Sequence, residues 1–598
     1  MIAIVPVVSM PFVSGVTARD AGAEDEAGAA EADVGISDGG GEQGGGTSDG
    51  GGEQGNGGVQ GDGVQGGGGE QSGGVSETDA GEPDVGEPDD DTANESDEDQ
   101  PKADYFSTHF GLRTQLIALD AELKSRLFGE SSNQKVVEGR DGWLFLAETL
   151  DPDTPGNQAS DRAAARIART LWLFSEYLEQ NGADFLFVAA PNKAGVYPEY
   201  LPYYMPRPGL DGARLLDRVQ LRIDALGVRY IDLSALFQQL REKDDGTYYY
   251  HQRDTHWNNR GALEVYRTIM AELESMAANA DIESVTASAA PESTAASAEP
   301  ESAPGAFAYE RYESLVPRVA VEWDGDLEDM LNPLSERLDT QFFYDVPKEY
   351  SARKPIVNTE DMNIETTSKK NGVRALIFRD SFANALIQFF TNNLGKASFT
   401  RSMPFPLSRA EGGAYDVVIL EIVERNLRWI VDAAPAIPAP EISEPESERV
   451  PAEQVLAAIH EAGQFPADAV IFEAAEAPTD GRPSPGARFY GCFDPALLTV
   501  GAETRIYPVV EGANGEVRVF EAFPILEKNV LDAAIKRWGA AAEDCGFSFY
   551  LDSERYGEHE AYTVRLLLAG QGSESASGGV GAESGAARIS EPLFTANQ

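Results

Sequence analysis

Arg374-Ala375-Leu376-Ile377-Phe378-Arg379-Asp380-Ser381-Phe382 decides how the chain is read. Arg374 to Phe378 has the apolar, branched character of a buried strand, Arg379-Asp380 is a polar turn, and Ser381 stands where a helix carrying Phe382, Leu386 and Phe389 is expected to begin. The same alternation surrounds it. Asp120 to Leu127 reads as helix, and Gly139 to Leu146 as a turn leading into a strand. Asp161 to Gln180 has helical apolar spacing through Ile167, Leu171, Phe174 and Leu178, and Phe185 to Ala190 is a short apolar strand ending at Pro191-Asn192-Lys193. A helix over Ala213 to Leu226 precedes a strand over Val228 to Leu233, a further helix runs from Asn259 to Met276, and Val417 to Val423 closes the series. Strands separated by helices predict an α/β fold with a mostly parallel sheet covered on both faces. Ligands of such sheets lie at the carboxyl ends of the strands, so Asn192-Lys193, Asp380-Ser381 and Glu424-Arg425 are expected on one rim. A serine opening a helix there would place free N–H groups and a positive dipole end beside a developing oxyanion, although a serine in that position also serves simply as an N-cap.

Asp254-Thr255-His256-Trp257 supplies what a serine needs for acyl transfer: an imidazole to take its proton and a carboxylate to orient that imidazole. On an extended segment, side chains two apart leave the same face. Only five histidines occur, which leaves few candidate bases. The plainer readings of His256 are a core histidine bonded to Asp254 or a metal ligand; no further ligand stands at suitable spacing apart from His251, so no metal is expected. Asn192 offers an amide to an oxyanion and Lys193 a cation to a glycan, yet Pro-Asn-Lys also reads as a plain turn. Glu424 and Arg425 read as an ion pair at a strand end, Trp143 and Trp257 as core aromatics or sugar platforms, and Asp326 as a loop cap.

The net charge of −53 over 598 residues makes the protein a poor nucleic-acid binder, since nothing would displace counterions from phosphate. Much of that charge lies in a segment without a basic residue between Arg19 and Lys102, where Ser-Asp-Gly-Gly-Gly-Glu-Gln-Gly occurs at 37–44 and again at 48–55. Such a composition cannot offset its ordering entropy and reads as a self-repelling tether. The expected organisation is an apolar anchor or signal remnant over 1–19, a disordered linker over 20–104, a catalytic domain over 105–433 with a disordered insertion near 283–305, a Pro/Glu-rich linker over 434–451, a β-rich domain over 452–570 and a disordered tail over 571–598. Short β-type runs at Val470, Arg505, Val517, Phe547 and Tyr562, with a turn at 512–515, predict a small β-sandwich for the C-terminal part. Cys492 and Cys545 are too few for a disulfide scaffold; they read equally as a pair or as two buried thiols.

The ordered series Gly139 to Leu146, Pro191-Asn192-Lys193, Asp254-Thr255-His256-Trp257, Gly325-Asp326-Leu327, Arg379-Asp380-Ser381-Phe382 and Glu424-Arg425 resembles the AlgX/AlgJ-type polysaccharide O-acetyltransferases over roughly 105–430. The resemblance implies an SGNH-hydrolase-like three-layer sandwich, with Ser381, His256 and Asp254 as nucleophile, base and acid. It also implies an exported or membrane-tethered enzyme that needs no cofactor, takes acetyl from a membrane-bound O-acyltransferase and esterifies a polysaccharide hydroxyl. Arg379 stands where ordinary SGNH hydrolases have glycine, which leaves the make-up of the oxyanion hole open; Asn192, Lys193, Arg379 and Arg425 are the candidates for oxyanion or substrate binding. A carbohydrate esterase with the same triad and a non-catalytic glycan-binding surface protein are the alternatives. The C-terminal strands are similar to carbohydrate-binding modules attached to some members.

Overall fold

The computed structural model describes residues 133–151, 160–205, 207–208, 214–243, 246–287, 307–331, 337–442, 452–476, 486–498, 503–552, 561–571 and 587–596. The apolar N-terminal segment, the acidic tether, the helix expected at Asp120 to Leu127 and most of the insertion expected near 283–305 lie outside them.

Strands β1 (Val136–Glu138) and β2 (Leu144–Leu146) form an antiparallel pair of their own. Between them Asp141 and Gly142 adopt left-handed backbone, with φ of 56° and 80°, and a Cβ on Gly139 would stand 2.4 Å from the Tyr200 carbonyl. Helix α1 (Asp161–Gln180) follows, N-capped by Ser160, which accepts from the Ala163 N–H. Then come β3 (Asp184–Ala190), α2 (Lys193–Val196), α3 (Leu215–Ala225), β4 (Tyr230–Ile231), α4 (Leu233–Glu242) and the long α5 (Asn259–Ala287). A hairpin of β5 (Arg318–Trp323) and β6 (Asp339–Phe343) brackets α6 (Asp326–Leu331). The chain then returns to the main sheet through β7 (Tyr350–Ala352), β8 (Asn363–Ser368), β9 (Arg374–Phe378), α7 (Asn384–Phe390), β10 (Lys396–Thr400) and β11 (Val417–Val423).

The main sheet has seven strands in the order β4-β3-β11-β9-β10-β8-β7; the pairs from β4 to β10 are parallel and the last two antiparallel. Its central strands are largely apolar because both faces are covered, with Glu421 of β11 a buried exception. In β3, Leu186, Val188 and Ala190 face one core while Phe185, Phe187 and Ala189 face the other, and β11 alternates likewise. On the first face lie Val265, Tyr266 and Ile269 of α5, Phe237 of α4 and Leu386 of α7; on the second, Ile167, Leu171 and Phe174 of α1 and Leu216 and Val219 of α3. The fold is therefore the α/β three-layer sandwich that the alternating pattern predicts.

A β-rich body follows. Helix α8 (Ala452–Glu461) leads to β12 (Gly463–Phe465); the remaining elements are β13 (Val470–Glu476), β14 (Gly486–Phe493), β15 (Glu503–Gly512), β16 (Val517–Val519), helix α9 (Lys528–Trp538), β17 (Gly546–Asp552), β18 (Tyr562–Gln571), β19 (Arg588–Ser590) and β20 (Phe594–Thr595). One sheet runs β12-β19-β18-β15-β16 and a second β13-β14-β17. Phe489, Phe547 and Phe549 of the second meet Ile506, Val510, Val564 and Leu566 of the first in one core. Cys492 and Cys545 are free and buried there, and burial pushes the Cys492 thiol up to about 12. Two expectations are corrected. Residues 587–596, placed in a disordered tail, pair with β18, and the Ser590 hydroxyl accepts from the Leu566 N–H at 2.9 Å. Residues 434–442, placed in a linker, are docked: Ile437, Ala439 and Ile442 are buried, and the Ala439 N–H donates to the Tyr550 carbonyl.

Helix α1 joins the two bodies. Arg169 lies against Glu521 through two bonds of 2.7 and 2.5 Å, both side chains buried, while Arg166 donates to the carbonyls of Pro524 and Glu543 at 2.8 and 2.5 Å.

Candidate active site

The turn that carries Ser381 is built by β9 and β11. As β9 ends, the Arg379 N–H donates to the Thr400 carbonyl, and the Asp380 carboxylate receives the N–H groups of Phe382 at 2.9 Å and Val423 at 2.8 Å. Asn426 Nδ2 adds a third bond to it at 3.1 Å. Asp380 thus ties the turn to the carboxyl end of β11 and fixes where Ser381 points. Ser381 does not open the helix: α7 begins at Asn384, and the Asn384 N–H donates to the Ser381 carbonyl across a tight turn. Its hydroxyl consequently caps nothing and stays available. The amides of Arg379, Asp380, Phe382 and Asn384 are all taken, whereas the Ser381 N–H meets no acceptor among the described residues. That N–H is free to face an oxyanion.

Asp254 and His256 sit on the loop between α4 and α5, where the antiparallel bridge Tyr250–Trp257 closes a tight excursion. Asp254 and His256 are brought together by a turn rather than by extended backbone. Asp254 Oδ1 accepts from both the His256 backbone N–H at 2.8 Å and its Nδ1 at 2.7 Å, the local side-chain bond to which aspartate is suited. His256 Nε2 lies 2.7 Å from Ser381 Oγ. With Nδ1 donating to the carboxylate, Nε2 is left to accept the serine proton. Burial works to lower the His256 pKa, but the Asp254 bond and charge outweigh it and hold the imidazole above its ordinary value. Burial likewise opposes charge on Asp254, and its bonds to His256 win, holding that carboxyl well below the usual carboxylate range.

The loop is braced from several sides. Lys193 Nζ donates to the carbonyls of His251, Gln252 and Asp254 at 3.2, 3.0 and 2.7 Å, and burial pushes its pKa down to about 7. Asp326 accepts from the Thr255 N–H and hydroxyl at 2.7 and 2.6 Å, Asp339 from the Arg253 N–H at 2.6 Å, and the Arg253 carbonyl receives the N–H groups of Leu327 and Glu328. Trp323 Nε1 donates to Asp254 Oδ2 at 2.9 Å. Glycine at 325 is required by close approach, because a Cβ there would stand 2.4 Å from the Arg253 carbonyl. Gly325→Ala is expected to cost about 1–3 kcal/mol in stability through the forced shift of that loop, read from denaturant unfolding.

Two cavities reach Ser381. One of about 550 Å³ is lined by Arg379, Arg401, Met403, Glu421, Arg425 and Trp429; the other, of about 530 Å³, by Asp254, His256, Trp323, Tyr350, Glu360 and Gln388. Neither is lined by Asn192 or Lys193. Lys193 is a buried strut instead of a glycan contact, since its three donors are spent on backbone carbonyls. Asn192 is buried, and its N–H donates to Glu424 Oε2 at 2.9 Å. Arg379 borders the first cavity, but its guanidinium is bound to Asn384 Oδ1 and to the carbonyls of Thr359 and Asp361 at 2.5, 2.6 and 2.9 Å. Glu424 and Arg425 do not pair with each other. Glu424 is buried against Arg214 at 3.3 Å, while Arg425 lies over the Phe382 ring at 5.4 Å and reaches Glu148 only at 3.9 Å. Trp143 and Trp257 are core residues, 0% and 2% exposed, which removes both as sugar platforms. Asp254, His256 and Asp326 could present three ligand atoms within 4.8 Å of one another to a cation, but both His256 ring nitrogens are engaged by Asp254 and Ser381.

Residues 136–312 match the family model described as the SGNH hydrolase-like domain of the acetyltransferase AlgX. Over that segment the chain is similar to the AlgX/AlgJ family. The matched segment contains Asp254 and His256 and stops short of Ser381. Over 169 residues the chain is 30% identical to the probable alginate O-acetylase AlgJ of Pseudomonas aeruginosa, 28% of this chain and 40% of that protein. Its counterpart from Pseudomonas putida is 30% identical over 155 residues, 26% of this chain and 37% of that one. The chain thus matches about two fifths of the length of these curated relatives. Among solved structures, the O-acetyltransferase domain of Pseudomonas putida AlgJ aligns with 19% identity, 49% of this chain, 91% of that one and a TM-score of 0.32; Bacillus cereus PatB1 aligns with 16%, 49%, 96% and 0.36. The matched segment supplies β3 and β4 of the main sheet, and the β-rich body follows the sandwich at its C-terminal side.

Proposed function

We propose that the protein is a serine O-acetyltransferase that esterifies hydroxyls of an extracytoplasmic polysaccharide. The observation that carries the reading is the unbroken relay from Asp254 Oδ1 to His256 Nδ1 at 2.7 Å and from His256 Nε2 to Ser381 Oγ at 2.7 Å. In this reading Ser381 Oγ attacks the acetyl carbonyl of the donor while its proton passes to His256 Nε2, and the donor alcohol leaves with that proton. A sugar hydroxyl, deprotonated by the same nitrogen, then attacks the acetyl carbonyl; its new ester bond forms as the bond to Ser381 Oγ breaks, and the departing serine oxygen takes the proton back from Nε2. Asp254 stabilises the imidazolium formed in each half, and the Ser381 N–H faces the oxyanion. The curated relatives are named for acetylating alginate; a membrane-bound O-acyltransferase as donor and attachment through the apolar N-terminal segment belong to the same proposal. No helix among the described residues is long and apolar enough to cross a membrane.

The test is product analysis with an acetyl-ester donor and an oligosaccharide panel. Acetylated sugar supports transfer; free acetate alone would reassign the same triad to an esterase.

The base must be neutral to act, and Asp254 holds His256 above the ordinary imidazole value. Acetylation of Ser381 by an activated ester is therefore expected to rise with pH to a plateau, with its midpoint above about 6.5. Stopped-flow rates from pH 5 to 9 check this, and a midpoint below 6 contradicts it.

A further inference from the structure

The β5–β6 hairpin stands outside the main sheet, yet its Trp323 reaches the acid of the relay. We propose that Trp323 is a positioning residue, whose indole N–H fixes the outer oxygen of Asp254 so that the inner oxygen stays on His256. The inference rests on the reading of Ser381 as nucleophile and of His256 as its base.

The carboxylate has two ends with different partners. Oδ1 serves His256 twice, at 2.8 and 2.7 Å. Oδ2 has Trp323 Nε1 at 2.9 Å and, at the longer distance of 3.4 Å, the Asp326 N–H. Without the indole, Oδ2 keeps only the longer Asp326 bond, the carboxylate turns more widely about its last torsion, and the His256 Nδ1 bond weakens with every such excursion. An indole suits the task because it donates a single hydrogen and never carries charge. A lysine or arginine in its place would neutralise the carboxylate that the imidazolium needs. Trp323 is itself held: its ring stacks on His251 at 4.9 Å with an interplanar angle of 6°. His251 is buried, and burial pushes its pKa down to about 4, so the stack adds no charge beside the acid. The other charged groups facing the pair are Asp326, whose Oδ2 lies 3.7 Å from His256 Nδ1, Arg425, Lys193 and Asp339. None of their bonds would be removed by replacing the indole with a phenyl ring.

The experiment uses the full chain with Trp323→Phe. The His256 ring is titrated by NMR, and Ser381 is reacted with phenylmethanesulfonyl fluoride, in which an O–S bond forms, S–F breaks, fluoride leaves and the hydroxyl proton goes to His256 Nε2. The expected result is a fall of about one unit in the His256 midpoint and about tenfold slower sulfonylation. In the unsubstituted protein the Trp323 indole proton is expected to shift in step with the His256 titration, a readout that does not depend on the variant folding. An unchanged His256 midpoint in the variant, or an indole proton indifferent to that titration, overturns the assignment. A protein whose Ser381 is never sulfonylated refutes the nucleophile instead, while the His256 titration still decides the role of Trp323.

Discussion

Ser381→Ala is expected to abolish acetyl transfer, lowering the rate by about 10⁴-fold or more, while leaving the fold unchanged. The size follows from what the hydroxyl does in the proposed mechanism: it is the atom that carries the acetyl group, and no neighbouring group in the turn can replace it. Asp380 is committed to the amides of Phe382 and Val423, and Arg379 to Asn384 and the 359–361 backbone. Little stability is at risk, because the Ser381 hydroxyl bonds His256 and caps no helix. Intact-mass measurement after brief exposure to an activated acetyl ester checks the claim: a 42 Da adduct is expected on the unsubstituted protein at about that single site and none on the variant. Equal labelling of both would move the nucleophile elsewhere.

The largest stability effect is expected at Arg169→Ala. Its guanidinium and the Glu521 carboxylate are both buried at the junction of α1 with the β-rich body, so truncating one leaves the other charged and without its partner. Removing one member of such a pair costs about 3–5 kcal/mol. The positive charge of Arg505 also acts on Glu521, which sets the expectation at the lower end, about 3 kcal/mol. A variant that also replaces Glu521 with leucine is expected to recover much of that loss, since an apolar pair needs no counter-charge. Denaturant unfolding monitored on both bodies reads the difference. A loss below 1 kcal/mol for Arg169→Ala would mean that water reaches the junction.

The α/β architecture was legible because β3, β9 and β11 are short apolar runs flanked by helices with clear spacing, and their ends placed Ser381 correctly on the rim. That Asp254 and His256 meet was expected from residue type, yet for a wrong geometric reason: a side-chain bond within a turn joins them, and alternation along a strand does not. Trp323 was missed because its strand, Arg-Val-Ala-Val-Glu-Trp, is exposed on both faces and shows no buried period. The roles of Lys193 and Glu424 were also hidden, since nothing in Pro-Asn-Lys or Glu-Arg says which charged side chain turns inward. In the β-rich body, β14 and α9 went unread. Gly491 interrupts the first, where a Cβ would lie 2.0 Å from the Ile471 carbonyl, and the second buries only Val530 and Ala534, too narrow a stripe to announce a helix.

The two thiols of the β-rich body bear on how the molecule can be made. Neither is cross-linked, and burial holds Cys492 in the protonated form that neither attacks nor is readily attacked. Maturation therefore asks for no oxidase or isomerase, and adding a reductant should leave the unfolding midpoint where it was. A chain of this kind can reach its final shape under oxidising or reducing conditions alike.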